Sequence, residues 1–201
     1  MKIVCLDLEG VLVPEIWVGL AERTGIEELR ATTRDVPDYD ELMRQRLRIL
    51  HRHGLGMEAL REVIDSVSPF PGAREFVDWF RERYQLVILS DTFYEFGRPI
   101  MRQLGWPTLF CHELEADADG RIVDYHLRMP DHKRAAVAAF QQLNFRVTAA
   151  GDSYNDVGML SQAETGILFA PPQNVVDDFP QFPVTRDYEA LRNAIEAASS
   201  E

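Results

Sequence analysis

The sequence predicts an α/β fold: a mainly parallel sheet covered by helices, with a small helical cap inserted after the first strand. Three observations carry this. Short apolar runs alternate with helix-periodic segments along most of the chain, as β-α-β units do. Carboxylates close three of those runs, at the position where open α/β sheets bind ligands. Residues 14–68 break the alternation, with helical periodicity and no good strand.

Taken in chain order, Ile3–Leu8 is the first strand, apolar and too short for a helix. Asp7-Leu8-Glu9-Gly10 ends it. The insertion runs from Pro14 to about Ser68, and Pro69-Phe70-Pro71-Gly72 marks the return. Residues 1–13 with 69–201 are therefore the expected core domain and 14–68 the cap. Between Tyr39 and His53 a helix would place Leu42, Met43, Leu47 and Leu50 on one face, with Arg44, Arg48 and Arg52 opposite. Arg46 falls inside the apolar arc. Further strands are Leu86–Ser90, Thr108–Cys111, Val147–Ala150 and Gly166–Phe169, while Ala118-Asp119-Gly120 splits Leu114–Leu127 into a hairpin. A helix begins near Pro130-Asp131.

Composition narrows the class. The chain has 201 residues, 46% hydrophobic and 27% charged, which fits one soluble globular domain with or without an insertion. Its net charge of −12 argues against nucleic acid and against anionic membranes as partners. No apolar stretch approaches the roughly 18 residues of a membrane span. An acid at Asp7 interrupts the first apolar run too early for a signal peptide. Cys5 and Cys111 lie in apolar runs and read as buried reduced thiols, so a cytoplasmic location is expected. Trp17, Trp79 and Trp106 suit either core or interface, which leaves homo-oligomerisation open.

The chemistry concentrates at the strand ends. Asp7 and Glu9 are two apart on a strand, so both carboxylates point to one side, as a nucleophile and an acid/base would. Alone, the pair reads better as two solvated acids at a strand end, or as a hairpin turn. Gly151-Asp152-Ser153-Tyr154-Asn155-Asp156 adds two more acids, or simply caps a helix. Converging carboxylates repel unless a cation lies among them, and oxygen donors select a hard ion, Mg²⁺ first. The five histidines are scattered without zinc-ligand spacing. Lys133 stands in a first helical turn, against the dipole, as a lysine holding an anion does. The alternative is a surface lysine, as its neighbour Arg134 is expected to be a surface arginine. Ser90 offers a hydroxyl and the following backbone N–H to phosphate oxygens, or else an ordinary helix cap.

These residues, in order, resemble the four motifs of the haloacid dehalogenase superfamily of aspartyl phosphotransferases, and the helical insertion looks like the cap of its phosphoserine phosphatases. The resemblance implies a Rossmann-like core. Glu9 departs from the Asp usual two residues after the nucleophile. The segment Cys5–Trp17 with that Glu, together with Ala31–Asp35, Leu89–Phe96 and Phe179–Pro183, is similar to the bifunctional phosphoserine phosphatases that are also phosphoserine–homoserine phosphotransferases. What this implies is specific. Asp7 attacks phosphorus and Glu9 is the acid/base; Mg²⁺ is bound by the Asp7 side chain, the Glu9 carbonyl and Asp152, with Asp156 supporting it from behind. Ser90, the Asp91 N–H and Lys133 hold phosphate oxygens, and Asn155 lies close to the substrate.

The cap adds its own clue. A guanidinium aimed inward, Arg46, needs an anion, and a carboxylate suits it best. An interior structural acid, or snorkelling outward, would serve as well. Glu15 at the cap entrance matches a substrate ammonium, or simply an acid in a first helical turn. The resemblance favours Glu15 for the amino group, Arg46 for the carboxylate and Met43 as pocket lining. The expected small-molecule partners are phosphoserine and homoserine. Two other readings stand beside this one: a phosphatase of another small phosphate monoester, and a receiver-like phospho-accepting module. The zwitterion-matched Arg46–Glu15 pair disfavours the first. The helical cap and the acid/base after Asp7 disfavour the second.

Overall fold

The computed structural model describes residues 1–32, 35–36 and 38–200, with side chains through residue 198. Thr33 and Arg34 of the motif at Ala31–Asp35 lie outside the described residues. A seven-stranded sheet runs in the order β4-β3-β2-β1-β5-β6-β7. Its strands are β1 (Lys2–Leu6), β2 (Gln85–Phe93), β3 (Thr108–Ala116), β4 (Ile122–His126), β5 (Arg146–Gly151), β6 (Thr165–Phe169) and β7 (Val184–Thr185). All neighbours pair in parallel except β3 and β4. The α/β class and parallel sheet expected from sequence are therefore present.

Alternation along the strands supplies both faces. Val4, Leu6, Leu86 and Ile88 join one apolar cluster, while Ile3, Cys5, Val87 and Leu89 join the other. The central strands are buried on both sides, which explains why they read as unbroken apolar runs. Helices α4 (Ala73–Arg81), α5 (Tyr94–Gln103) and α9 (Tyr188–Ser200) cover the first face. The second is covered by α6 (His132–Gln142), α7 (Val157–Gln162) and α8 (Gln173–Asp178). Cys5 and Cys111 are buried free thiols.

Between β1 and α4 lie α1 (Ile16–Thr24), a 3-10 turn (Glu27–Arg30), α2 (Tyr39–His53) and α3 (Met57–Ser66). Their apolar residues belong to the same cluster as the first sheet face. The two ends of this segment are stitched together, the Phe70 N–H donating to the Leu12 carbonyl at 2.9 Å. At its far end the Met57 N–H donates to the Gly120 carbonyl at 2.8 Å, which ties α3 to the β3–β4 turn. Asp38 caps α2 by accepting from the Glu41 N–H at 2.9 Å, and Gly54 ends it in the left-handed conformation.

Five sequence expectations change. The first strand stops at Leu6 rather than Leu8, so Asp7 and Glu9 stand beyond it and not on it. Ser90 does not end its strand, because β2 continues to Phe93. Its pairing with β3 shifts there, from Leu89↔Phe110 to Phe93↔His112, so three residues stand opposite one and Ser90-Asp91-Thr92 bulges. Thr108–Cys111 and the first hairpin arm form one strand, because β3 pairs with β2 first and then turns to β4. The strand β7, two residues long, was not foreseen. On α2 the buried stripe is Leu42, Met43, Arg46, Ile49 and Leu50, so Ile49 replaces Leu47, which is half-buried at the outer edge. Trp17 is buried, whereas Trp106 is exposed.

Candidate active site

The central strand β1 pairs Leu6 with Ile88 on one side and with Ala150 on the other. The three chain segments that leave these strands therefore meet: Asp7–Gly10 after β1, Ser90–Thr92 within β2, and Asp152–Asp156 after β5. The Asp7 N–H still donates to the Ala150 carbonyl at 2.9 Å. Gly10, at φ +78°, turns the chain, and a Cβ there would lie 2.5 Å from the Asp152 carboxylate carbon. Glycine here makes room for an acid.

Lys133, at the start of α6, is the buried hub. Its ammonium lies 3.0 Å from Asp7 Oδ1, 2.7 Å from Asp156 Oδ1 and 3.4 Å from Asp91 Oδ2. Burial would lower its pKa, but Asp156, Asp7 and Asp91 raise it well above the ordinary value and keep it charged. The same crowding acts on Asp7, whose carboxyl is raised by burial, Asp156 and Asp152 against the pull of Lys133. Asp7 Oδ1 also accepts from the Leu8 N–H at 2.7 Å, which fixes the carboxylate plane.

One oxygen each from Asp7, Asp152 and Asp156 lie within 4.8 Å of one another. This all-carboxylate donor set suits a hard divalent cation. Asp156 is already engaged: Oδ1 takes Lys133, and Oδ2 accepts the Asp152 and Ser153 N–H groups at 2.9 and 3.1 Å. It braces the loop, which leaves Asp7 and Asp152 to face an ion.

Glu9 stands beside Asp7, with Oε2 accepting from the Ile16 N–H at 2.9 Å. Burial and the nearby Glu15 push its pKa up to about 8, against the Ile16 N–H and Arg46. A carboxyl so placed carries a proton at neutral pH. Ser90 is buried, with its hydroxyl accepting from the Thr92 N–H at 3.2 Å. The Asn155 amide donates to Asp91 Oδ2 at 2.6 Å.

A cavity of about 70 Å³ brings Asp7, Glu9, Ser90, Asp91 and Asn155 together with Glu15 and Arg46 from the inserted helices. Arg46 is buried; it donates to the Ala31 carbonyl at 2.9 Å and stacks over the Trp17 ring at 4.4 Å. Its Nε has no hydrogen-bond partner among the described residues. Burial pushes its pKa down to about 10, so it stays cationic. Met43 is not on the cavity wall. It is fully buried behind Arg46, its sulfur 3.6 Å from Nη1, and Leu42 lines the cavity instead. Trp17, Tyr39 and Thr32 complete the lining.

Sequence reasoning passed over His112 and His132, which are buried and converge on Asp91. The signal was faint: a histidine closing the apolar run of β3, and another immediately before Lys133.

The sequence matches the haloacid dehalogenase-like hydrolase family over residues 1–164. The chain belongs to that family. Among similar proteins, "Phosphoserine phosphatase ThrH" of Pseudomonas aeruginosa is 62% identical over 200 residues, covering 100% of this chain and 98% of the relative. "Phosphoserine phosphatase" of Pseudomonas syringae pv. tomato is 59% identical, covering 100% and 84%. A solved phospho-aspartyl intermediate analogue of phosphoserine phosphatase superposes with a TM-score of 0.79 at 21% identity, covering 98% of each chain. At that identity the superposition speaks for the fold. Asp7 and Glu9 lie beyond the carboxyl end of β1, and Asp152 and Asp156 beyond that of β5.

Proposed function

We propose that this protein is a Mg²⁺-dependent phosphoserine phosphatase of the cytoplasm that works through an aspartyl phosphate and also passes the phosphoryl group to homoserine. One observation carries the substrate assignment. Asp7, with Lys133 3.0 Å behind its carboxylate, lines one small cavity together with Arg46 and Glu15, a phosphoryl end facing an amino-acid end. The names of the two Pseudomonas relatives support the hydrolase activity. The Glu9-containing motifs support the transfer.

Residues 14–68 act as the cap. Arg46 takes the substrate carboxylate and Glu15 its ammonium, which aims the phosphoryl group at Asp7. Met43 backs Arg46. Ser90, the Asp91 N–H and Lys133 hold the phosphoryl oxygens, and Asn155 lies close to the substrate. Asp7 attacks phosphorus while Glu9 gives its proton to the departing serine oxygen. Glu9, now a carboxylate, takes a proton from water or from the homoserine hydroxyl, which attacks the aspartyl phosphate. Asp7, the Glu9 carbonyl and Asp152 would hold Mg²⁺, which supplies charge to offset the phosphoryl oxygens. Solvent is kept from the acyl phosphate by the cap that closes the cavity.

The test measures phosphate release and phosphohomoserine formation from phosphoserine with Mg²⁺, with and without homoserine. Both products should appear, and Arg46→Ala should lower kcat/KM for phosphoserine about 100-fold, the loss of a charged bidentate contact. Ethyl phosphate, which lacks the amino-acid head, should be cleaved equally by both proteins. Release without phosphohomoserine removes the transfer. No release from phosphoserine, with other monoesters cleaved, removes the substrate.

A further inference from the structure

We propose that the Asp91 carboxylate is an internal rival of the phosphate, occupying donors at the phosphoryl end and limiting how tightly substrate and released phosphate are held. This rests on the phosphatase reading above. An ammonium has three N–H groups, and three carboxylates already surround Lys133 Nζ, at 2.7, 3.0 and 3.4 Å. The partners at 2.7 and 3.0 Å, Asp156 and Asp7, are 0% and 6% exposed; Asp91, the most distant, is 25% exposed. Asp91 is thus the partner that an arriving phosphate oxygen displaces. The same Asp91 Oδ2 also takes the Asn155 amide, at 2.6 Å. The lysine assigned to the phosphate oxygens and the amide expected close to the substrate are therefore both occupied by one side-chain oxygen. Nothing in phosphate binding asks for an acid there, because any residue after Ser90 supplies the N–H.

The other oxygen has its own seat. Asp91 Oδ1 lies 3.4 Å from His112 Nε2 and 3.1 Å from His132 Nε2. His112 Nδ1 accepts the Arg128 N–H at 3.2 Å, so the neutral ring carries its proton on Nε2 and donates it to Asp91. His132 is kept neutral by burial and likewise presents Nε2. Held by two imidazoles, the carboxylate can yield Lys133 and Asn155 without leaving the site. It then remains beside the phosphate as a like charge. The His112 tautomer also argues against reading Asp91, His112 and His132 as a metal centre, since a metal needs the Nε2 lone pair.

Calorimetric titration of orthophosphate in Mg²⁺ tests this on three proteins. Asp91→Asn, nearly isosteric and uncharged, should bind phosphate about tenfold more tightly than the wild type, with KM for phosphoserine falling in step. His112→Phe keeps the Asp91 charge but removes a donor from Oδ1, so Asp91 settles more firmly on Lys133 and phosphate binds severalfold more weakly. A group that merely supports the fold would give no gain of affinity. Equal or weaker binding by Asp91→Asn overturns the proposal. Should that variant not fold, unchanged or tighter binding by His112→Phe does so. A wild type that binds orthophosphate but leaves phosphoserine intact would refute the substrate assignment alone, and the titrations would still decide the role of Asp91.

Discussion

Glu9 differs from aspartate by one methylene, and its surroundings show what that length reaches. Its carboxyl contacts the Ile16 N–H at the start of α1, so this side chain is tied to the inserted helices as well as to the segment after β1. Glu9→Asp would withdraw the group from that contact and from a bulky acceptor, while water remains able to approach. The ratio of hydrolysis to homoserine transfer should rise severalfold in Glu9→Asp, read as both products from one phosphoserine reaction. An unchanged ratio would remove Glu9 from the explanation. Arg46 makes the complementary point. A guanidinium stacked on Trp17, with Nε lacking a partner among the described residues, fits the substrate carboxylate proposed for it. Burying a charge in that state costs stability, which is what a site kept for a ligand accepts.

Elements were legible where local chemistry determines them. The bounds of α2 follow from Asp38 and Gly54, and those of β5 and β6 from apolar runs between polar ends, whereas β1 stops two residues short of the expected Leu8. Asp7, Glu9, Lys133, Asp152 and Asp156 could be picked out because each stands where a strand ends or a helix begins. The bulge at Ser90–Thr92 could not be read, because it depends on register against β3, a strand nearly twenty residues later. The Asp91–His112–His132 cluster was hidden for the same reason: three separate segments supply it. Another joint of this kind links α3 to the β3–β4 turn, where a Cβ on Gly56 would lie 2.5 Å from the Gly120 carbonyl oxygen. Gly56→Ala should break that joint and destabilise the protein by about 1–3 kcal/mol. Urea unfolding measures the loss, and proteolysis within residues 117–121 should speed up. An unaltered midpoint would show that the turn moves aside freely.

Across the whole molecule, a net charge of −12 coexists with several carboxylates gathered at the centre of one sheet edge. A divalent ion that binds only the folded chain stabilises it by mass action, about 2.7 kcal/mol at a hundred times Kd. For a chain of this size that corresponds to a rise of about 5–10 °C in Tm. Saturating Mg²⁺ against a chelator should give that rise in the wild type and little of it in Asp152→Asn. Identical melting curves in both conditions would argue against an ion among these acids. The strand order has a further consequence, for synthesis. β1 leaves the ribosome first, yet its partners are residues 85–88 and 146–150. At about 5–20 residues per second, several seconds separate the two pairings. During that interval Asp7 lies on a half-built sheet edge with no β5 loop beside it. Asp7 is made before both partner strands and is enclosed only when the second arrives, so a nascent chain holds this carboxylate in water until β5 pairs.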